Sequence, residues 1–235
     1  MKPSQRLART AGLYYLVVAV LGAFAHIVRG MVYVPGDAVT TTARVLENAD
    51  LVRYSLVADL VQATFLVFVV LTLHRLLHHV NAHAARAMVL FVVIAVAVTT
   101  LNMVNQLGAL LVATDPSYAE AFGVDGSEAL VMLFLDLQHH GYLIAQIFFG
   151  LWLFPLGLLA WRSGMFPRAI AGVLVTASTF YLVDVALEFL APATADTLSP
   201  ALVTLFTLAE ASLLVFLLAK GVLDRQPADR ALVDA

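Results

Sequence analysis

The chain has no cysteine among its 235 residues. This excludes disulfide bonds, thiolate nucleophiles and thiolate metal ligands, since each requires the sulfur of that residue. The sequence also lacks a glycine-rich phosphate loop, a Gly-x-Ser-x-Gly nucleophile elbow, a His-Glu-x-x-His zinc motif and the paired Glu-x-x-His of di-iron proteins. Any chemistry must therefore come from carboxylates, imidazoles and other oxygen- or nitrogen-bearing side chains.

Charge is also scarce. Only 12% of the residues are charged and 62% are hydrophobic, whereas a soluble domain has about a quarter of its residues charged. So few charges cannot cover the surface of a soluble fold of this size, and this indicates an integral membrane protein whose partner is the lipid bilayer. The net charge of -3 argues against nucleic acid as a partner, because no basic surface is available for phosphates.

Six apolar stretches are long enough to cross a bilayer, which takes about 20 mostly apolar residues in a helix. We place them near residues 10–29, 52–74, 86–113, 130–161, 167–190 and 199–220. They leave no room for a soluble domain, and no internal repeat is visible. The sequence therefore predicts an all-α fold in one integral membrane domain, residues 1–235, built as a six-helix transmembrane bundle.

Two connections carry helix-start signals. Val34-Pro35-Gly36-Asp37 is a turn sequence in which Asp37 suits an N-cap. A short amphipathic helix is predicted over 38–50, as a cap or a lid at the outer interface, because apolar residues recur there at helical spacing: Val45, Leu46, Ala49 and Val52. Asp125-Gly126-Ser127-Glu128 predicts a second turn with an N-cap before the fourth span, and Pro155 predicts a kink within that span.

The positive-inside rule orients the spans. With the N-terminus in the cytoplasm, ten basic residues fall on the inner side: Lys2, Arg6, Arg9, Arg75, Arg86, Arg162, Arg168, Lys220, Arg225 and Arg230. Three fall on the outer side: Arg29, Arg44 and Arg53. We expect six crossings with both termini cytoplasmic. The alternative, a signal peptide cleaved near Ala23-Phe24-Ala25, would leave five spans.

Five carboxylates lie within the predicted spans: Asp59, Asp136, Asp184, Glu188 and Glu210. Such residues are expensive in hydrocarbon and usually face a protein interior or a wet cavity. Four of them belong to polar stripes at helical spacing: Asp136/His139/His140, Asp184/Glu188 with Tyr181, and Asp59/Gln62. Two further polar stripes contain no acid, namely His26/Arg29 and Asn102/Asn105/Gln106. These stripes predict a polar cavity in the outer half of the bundle.

The charges in that cavity do not balance. At most two bases, Arg29 and Arg53, lie near the five acids. Arg29 would form an ordinary ion pair with Asp59 or Asp184, but this pair cannot neutralise the whole set. An unpaired carboxylate in low dielectric costs several kcal/mol. The excess acids must therefore be protonated, solvated by water or bound to a cation. An acid network with water and Arg, a metal site and purely structural pairing all remain open.

A metal site is the most specific of these alternatives. Neutral His with Asp or Glu suits a divalent metal such as Zn, Fe or Mn. The local ligands would be Asp136 with His139 or His140, and the distant ligands would come from Asp59, Asp184 or Glu210. A second histidine group is more simply an exposed basic connection than a metal patch: His74, His78, His79 and His83.

Several segments together resemble one bacterial family of uncharacterised multi-pass membrane proteins, defined as a domain of unknown function. The resemblance rests on Ala11-Gly12-Leu13-Tyr14-Tyr15-Leu16, Arg29-Gly30, Val34-Pro35-Gly36-Asp37, Asp59, Gly141-Tyr142-Leu143-Ile144, Phe148-Phe149-Gly150, Arg162-Ser163-Gly164, Pro167-Arg168 and Tyr181-Leu182-Val183-Asp184. It covers nearly the whole chain and implies a helical domain of the bacterial cytoplasmic membrane. It supplies no catalytic residues.

The residues favour an intramembrane enzyme that acts on a lipid-like or terpenoid substrate by acid/base or metal-assisted chemistry. The expected catalytic residues are Asp59, Asp136, Asp184 and Glu210, and the metal ligands His139, His140 and Asp136. The expected substrate-binding residues are Arg29, Asn102, Asn105, Tyr142, Tyr181 and Glu188. The alternatives are a small proton- or cation-coupled transporter, which the lack of inverted repeats disfavours, and a non-catalytic membrane subunit.

Overall fold

The computed structural model describes residues 3–223, and within that range the chain forms eight α-helices and no β-strand. In chain order these are α1 (Pro3–Val32), α2 (Ala38–Glu47), α3 (Ala49–Leu77), α4 (Ala82–Thr114), α5 (Pro116–Phe122), α6 (Val124–Ser163), α7 (Arg168–Leu190) and α8 (Pro192–Ala219). The predicted all-α class is confirmed. Three basic residues used for the orientation lie outside the described residues: Lys2, Arg225 and Arg230.

Six of these helices are long and apolar enough to cross a membrane: α1, α3, α4, α6, α7 and α8. Each contains one of the six predicted spans to within a residue at its ends. Most are longer than predicted, because the helices continue through polar turns that an apolar criterion leaves out. Arg6 and Arg9, for example, lie in the first turns of α1.

The short helix in the first connection is confirmed as α2. Asp37 caps its N-terminus, where one carboxylate oxygen accepts a hydrogen bond of 2.9 Å from the backbone N–H of Thr40 and the other one of 2.7 Å from its hydroxyl. These hydrogen bonds hold the pKa of Asp37 below its usual value. α2 ends at Glu47, and α3 begins directly after the C-cap residue Asn48. The helical spacing that extended to residue 50 therefore belongs to two helices.

The predicted turn before the fourth span is wrong. α6 already begins at Val124, so Asp125 lies in its first turn, and the hydroxyl of Ser127 donates to the Val124 carbonyl instead of capping the helix. The interruption between two helices lies instead at Gly123, whose φ of 75° is accessible to glycine without strain. The unpredicted helix α5 ends there, and its N-terminus is capped by Asp115. α6 runs continuously to Ser163 with Pro155 inside it.

The chain divides into two compact units. Within the described residues, the first comprises residues 3–16, Val67–Val93 and residues 146–223. Two glycines of α6 let α7 approach closely. A Cβ on Gly150 would lie 2.6 Å from the Cβ of Tyr181, and one on Gly157 would lie 2.6 Å from Cγ2 of Val175 and 2.9 Å from the backbone oxygen of Ala171.

The second unit comprises Val17–Leu66 and Ile94–Ala145. Its core contains side chains from five helices: Val28, Val32, Val45, Val52, Ala109, Leu110, Val112, Val131 and Leu135. α2 contributes Val45, which is 1% exposed. The short helix is thus packed into this unit by its buried face.

Candidate functional site

Glu210 of α8 is the acid with the most elaborate hydrogen bonding in the first unit. Its Oε1 accepts a hydrogen bond of 2.5 Å from the hydroxyl of Tyr181 on α7, and its Oε2 accepts one from the hydroxyl of Tyr15 on α1. Tyr15 is buried and packs edge-on against Trp152, with ring centroids 6.3 Å apart. Tyr181 stacks on Phe206 at 3.7 Å. The carboxyl group is therefore held by two phenols, each fixed by a neighbouring ring.

The phenols partly replace the water that a carboxylate would lose in an apolar surrounding. A hydrogen bond to a charged group is worth about 1.5–3 kcal/mol, against a cost of several kcal/mol for an ion taken out of water. No Lys or Arg among residues 3–223 forms an ion pair with Glu210. Both oxygens of this carboxyl group therefore have neutral hydrogen-bond donors, and within the described residues no ion pair holds it.

Asp184 is the second acid of this unit. It is 2% exposed on α7, and its Oδ2 accepts a hydrogen bond of 2.6 Å from the side-chain amide of Gln146 on α6. Its other oxygen is buried and has no hydrogen-bond partner in the described part of the chain. Glu188, one turn further along α7, is half-buried. The close approach of α6 at Gly150 brings Gln146 within reach of Asp184.

In the second unit the structure pairs Arg29 of α1 with Asp59 of α3. Asp59 is 2% exposed and also accepts a hydrogen bond of 3.0 Å from Gln62, which confirms the predicted Asp59/Gln62 pair. The guanidinium of Arg29 lies 5.9 Å from the ring centroid of Tyr142. The other predicted base, Arg53, is paired instead with exposed Asp50 at 2.7 Å, so it does not neutralise the acids of the apolar helices.

Asp136 of α6 accepts a hydrogen bond of 2.6 Å from the hydroxyl of Tyr33. Tyr33 follows the end of α1, and its burial, together with this hydrogen bond and the nearby charge, raises its pKa. Its ring stacks on His139 with centroids 5.9 Å apart. Both histidines are exposed, and Nδ1 of His140 lies 2.8 Å from the backbone oxygen of Asp136. Of the two histidines, His139 is therefore the one that packs on the Tyr33 side.

The polar stripe of α4 joins helices of the second unit. Asn102 is buried and donates a hydrogen bond of 2.7 Å to the backbone oxygen of Gln138, and it accepts one of 2.9 Å from Asn105. Gln106 donates to the hydroxyl of Ser55 at 2.9 Å. Gly141 leaves the space that Asn102 occupies. These amides hold helices together, and substrate binding by Asn102 and Asn105 stays a prediction.

The family model named Domain of unknown function (DUF4386) matches residues 10–221. The match extends from the first turns of α1 to the residues just after α8. The chain belongs to this family. The family description assigns no activity, and no curated protein and no solved structure matches the chain. Membership therefore leaves the roles of the site residues to the chemistry of their contacts.

Metal ligands do not gather in the described part of this family member. Within residues 3–223, no three His, Asp or Glu side chains come together in a group that could hold a metal ion. His139 and His140 lie edge to face, with ring centroids 5.4 Å apart. In the second histidine group, His74 and His78 stack at 5.7 Å. The metal site predicted from Asp136, His139 and His140 is thus not shown.

The sequence indicates the acids and three of their six hydrogen-bond partners, namely Tyr181, Arg29 and Gln62. The sequence does not indicate the other three, Tyr15, Tyr33 and Gln146, although each forms a hydrogen bond to one of the acids. Their common signal is a polar group within or next to an apolar helix. Tyrosine and glutamine are weak signals, since a phenol ring is largely apolar and Gln has no charge. Which acid each would reach depends on how the helices pack.

Proposed function

We propose that this protein is an intramembrane enzyme that performs acid/base chemistry on a lipid-like or terpenoid substrate, with Glu210 as the acid/base. The observation that carries the proposal is the carboxyl group of Glu210 between the phenols of Tyr15 and Tyr181. A general acid or base must exchange a proton at the operating pH, and burial with neutral hydrogen-bond donors is one way to adjust a carboxyl group for this. The phenols are also suited to stabilise negative charge that develops on the carboxyl group or the substrate.

The other predicted site residues have supporting roles in this proposal. Asp184, with one buried oxygen unpartnered in the described chain, is the second acid of the first unit. In the second unit, the acids position neighbouring groups: Asp59 positions Arg29, and Asp136 positions Tyr33. Arg29, beside Tyr142, would bind a substrate anion only where Asp59 leaves part of its guanidinium available.

The test uses purified protein incubated with a total lipid extract of its expression host, followed by mass spectrometry of the lipids. We expect the wild type to consume at least one lipid species and the variant Glu210→Gln to do so about 100-fold more slowly, the lower end of the usual effect of a general acid or base. Asp196→Asn is the matched control, because Asp196 is an exposed acid on the same helix. Equal lipid profiles with wild type and Glu210→Gln would exclude this role for Glu210.

One observation favours a second function, a small proton-coupled transporter. The partners of Glu210 are neutral phenols, so the carboxyl group could be protonated and deprotonated without breaking an ion pair. In proteoliposomes that enclose a pH-sensitive dye, a transporter would acidify the lumen in response to a proton gradient, and Glu210→Gln would abolish the signal. A wild type that consumes no lipid but moves protons would favour the transporter over the enzyme.

A further inference from the structure

An apolar groove of about 410 Å³ runs along α7 in the first unit. Its lining includes Gly172, Val173, Thr176 and Phe180 from one face of α7 and Leu205 from α8. The hydroxyl of Thr176 donates to the backbone oxygen of Gly172 at 3.1 Å, so this polar side chain is satisfied within its own helix. The volume falls within the roughly 300–1,000 Å³ that is usual for ligand sites. The groove is therefore large enough for a ligand and apolar along its length.

One end of the groove carries a positive charge. Arg168, the first residue of α7, is part of the lining and is exposed. Its guanidinium lies 5.8 Å from the ring centroid of Trp161. Among residues 3–223, no carboxylate pairs with it. A cation–π contact of this kind uses none of the N–H groups of the guanidinium in a hydrogen bond, so they stay available to an anion.

The dimensions match those of one lipid leaflet. From Arg168 to Phe180, α7 rises by about 18 Å at 1.5 Å per residue, and half of a bilayer core is about 15 Å thick. Because α7 is a candidate membrane span, its first residue lies near the headgroup level while the apolar lining extends into the hydrocarbon. The charge and the apolar surface thus have the same order as the headgroup and the acyl chain of a phospholipid.

We propose that this groove binds an anionic phospholipid of the surrounding bilayer, with the phosphate on Arg168 and an acyl chain along Val173, Thr176 and Phe180. Arginine binds phosphate through two parallel N–H···O bonds. A net negative headgroup favours this contact over a zwitterionic one, in which a cationic group would lie close to Arg168. The proposal is independent of any chemistry at Glu210.

Trp161 offers a direct measurement, since it is 50% exposed and lies against Arg168. The protein is reconstituted in vesicles of phosphatidylcholine that contain brominated phosphatidylglycerol or, in parallel, brominated phosphatidylcholine, and tryptophan quenching is compared. The other tryptophan, Trp152, is 1% exposed and present in every sample. We expect the anionic lipid to bind about fivefold more strongly, which corresponds to about 1 kcal/mol for one basic residue at an anionic surface.

Arg168→Gln should reduce this preference to about one, and Arg168→Lys should retain only part of it, since lysine keeps the charge but not the two parallel N–H···O bonds. Arg162→Gln is the matched control, because Arg162 is exposed at the end of α6, one residue from Trp161, but is absent from the groove lining. Equal preferences in Arg168→Gln and Arg162→Gln would overturn the proposal, as would equal quenching by both lipids in the wild type. A third result would also overturn it: efficient disulfide dimerisation of Val173→Cys in a chain without other cysteines, since a second copy would then cover the groove.

Discussion

The hydroxyl of Tyr181 donates a hydrogen bond of 2.5 Å to Oε1 of Glu210, and the hydroxyl of Tyr15 donates one to Oε2. One acid thereby links three membrane-spanning helices, because Glu210 lies on α8, Tyr181 on α7 and Tyr15 on α1. The same hydrogen bonds that make Glu210 a candidate acid/base also connect α8 to α1 and α7, so Glu210 can stabilise the fold as well. The two roles are separable by measuring stability and chemistry on the same variants.

Removal of either phenol hydroxyl should destabilise the protein. Tyr15→Phe and Tyr181→Phe keep the rings, which pack on Trp152 and Phe206, but each leaves one oxygen of Glu210 without its donor. A hydrogen bond to a charged or buried acceptor is worth about 1–3 kcal/mol. Thermal unfolding in detergent should therefore show a lower Tm for both variants.

The control for these variants is Tyr54→Phe, since Tyr54 is 64% exposed on α3. It should unfold at the wild-type temperature. If the double variant Tyr15→Phe/Tyr181→Phe is as stable as Tyr54→Phe, the two hydrogen bonds to Glu210 do not stabilise the packing of these helices.

The ion pair between Arg29 and Asp59 should be far more sensitive to loss of one partner than the pair between Arg53 and Asp50. The side chains of Arg29 and Asp59 are 15% and 1% exposed, whereas those of Arg53 and Asp50 are 52% and 79% exposed. Arg29→Gln leaves a buried carboxylate uncompensated, at a cost of about 3–5 kcal/mol. Arg53→Gln breaks an exposed pair, worth about 0–1 kcal/mol. Chemical unfolding in mixed micelles measures both differences.

A charge-neutral double variant completes this experiment. Arg29→Gln/Asp59→Asn removes the stranded charge, so it should recover much of the stability that Arg29→Gln loses. A double variant that is less stable than Arg29→Gln alone would show that Asp59 is not stabilised mainly by the guanidinium.

The membrane spans were predictable because their signal is local. Apolar length determines the spans, and Asp37 was recognised as the cap of α2 because the capping partner, Thr40, lies three residues along the chain. The Asp59/Gln62 pair was predictable for the same reason, since residues at this spacing share a helix face. The predicted start of α6 is wrong because the helix is interrupted at Gly123 and not within the Asp125–Glu128 segment.

The partners of the acids depend on helix packing, which apolar periodicity does not determine. Tyr15 and Glu210 are 195 positions apart in the sequence, and no spacing rule connects them. Arg29 had two candidate partners, Asp59 and Asp184, and the charge pattern did not distinguish them. The choice follows from neighbouring helices: Asp59 belongs with Arg29 to the second unit, whereas Asp184 packs against Gln146 in the first.

Close packing of α6 on α7 predicts a large effect of one added methyl group. In Gly157→Ala the new Cβ would lie 2.6 Å from Cγ2 of Val175 and 2.9 Å from the backbone oxygen of Ala171. A side chain can rotate away, but a backbone oxygen within a helix cannot, so the helices must separate. Overpacking of this kind costs about 1–3 kcal/mol, and the Tm should fall accordingly.

Gly30→Ala is the control for this substitution. A Cβ on Gly30 would meet nothing within 4 Å, and alanine is a better helix former than glycine by about 1 kcal/mol. This variant should be as stable as the wild type or more stable. A Gly157→Ala protein that matches Gly30→Ala would mean that α6 and α7 are not in tight contact at this point.

Tyr33 predicts a loss of stability at alkaline pH. Burial, with the hydrogen bond to Asp136, raises its pKa above that of a free tyrosine, which is about 10. A group with a raised pKa in the folded state stabilises the fold fully below its unfolded pKa, and the contribution is lost as the pH rises toward the folded pKa. The free energy of unfolding should therefore be constant with respect to Tyr33 up to about pH 10 and decrease above it.

Tyr33→Phe isolates this contribution, because it keeps the ring that stacks on His139 and removes the titrating hydroxyl. The difference in unfolding free energy between wild type and Tyr33→Phe should be the same at pH 8 and pH 9 and should shrink at pH 11. At that pH, ionisation of Tyr33 stabilises the unfolded state of the wild type, and the variant has no such group. Tyr54→Phe, at an exposed position, controls for the loss of a phenol. A difference that is unchanged at pH 11 would show that the hydroxyl of Tyr33 is not held by Asp136 in the folded protein.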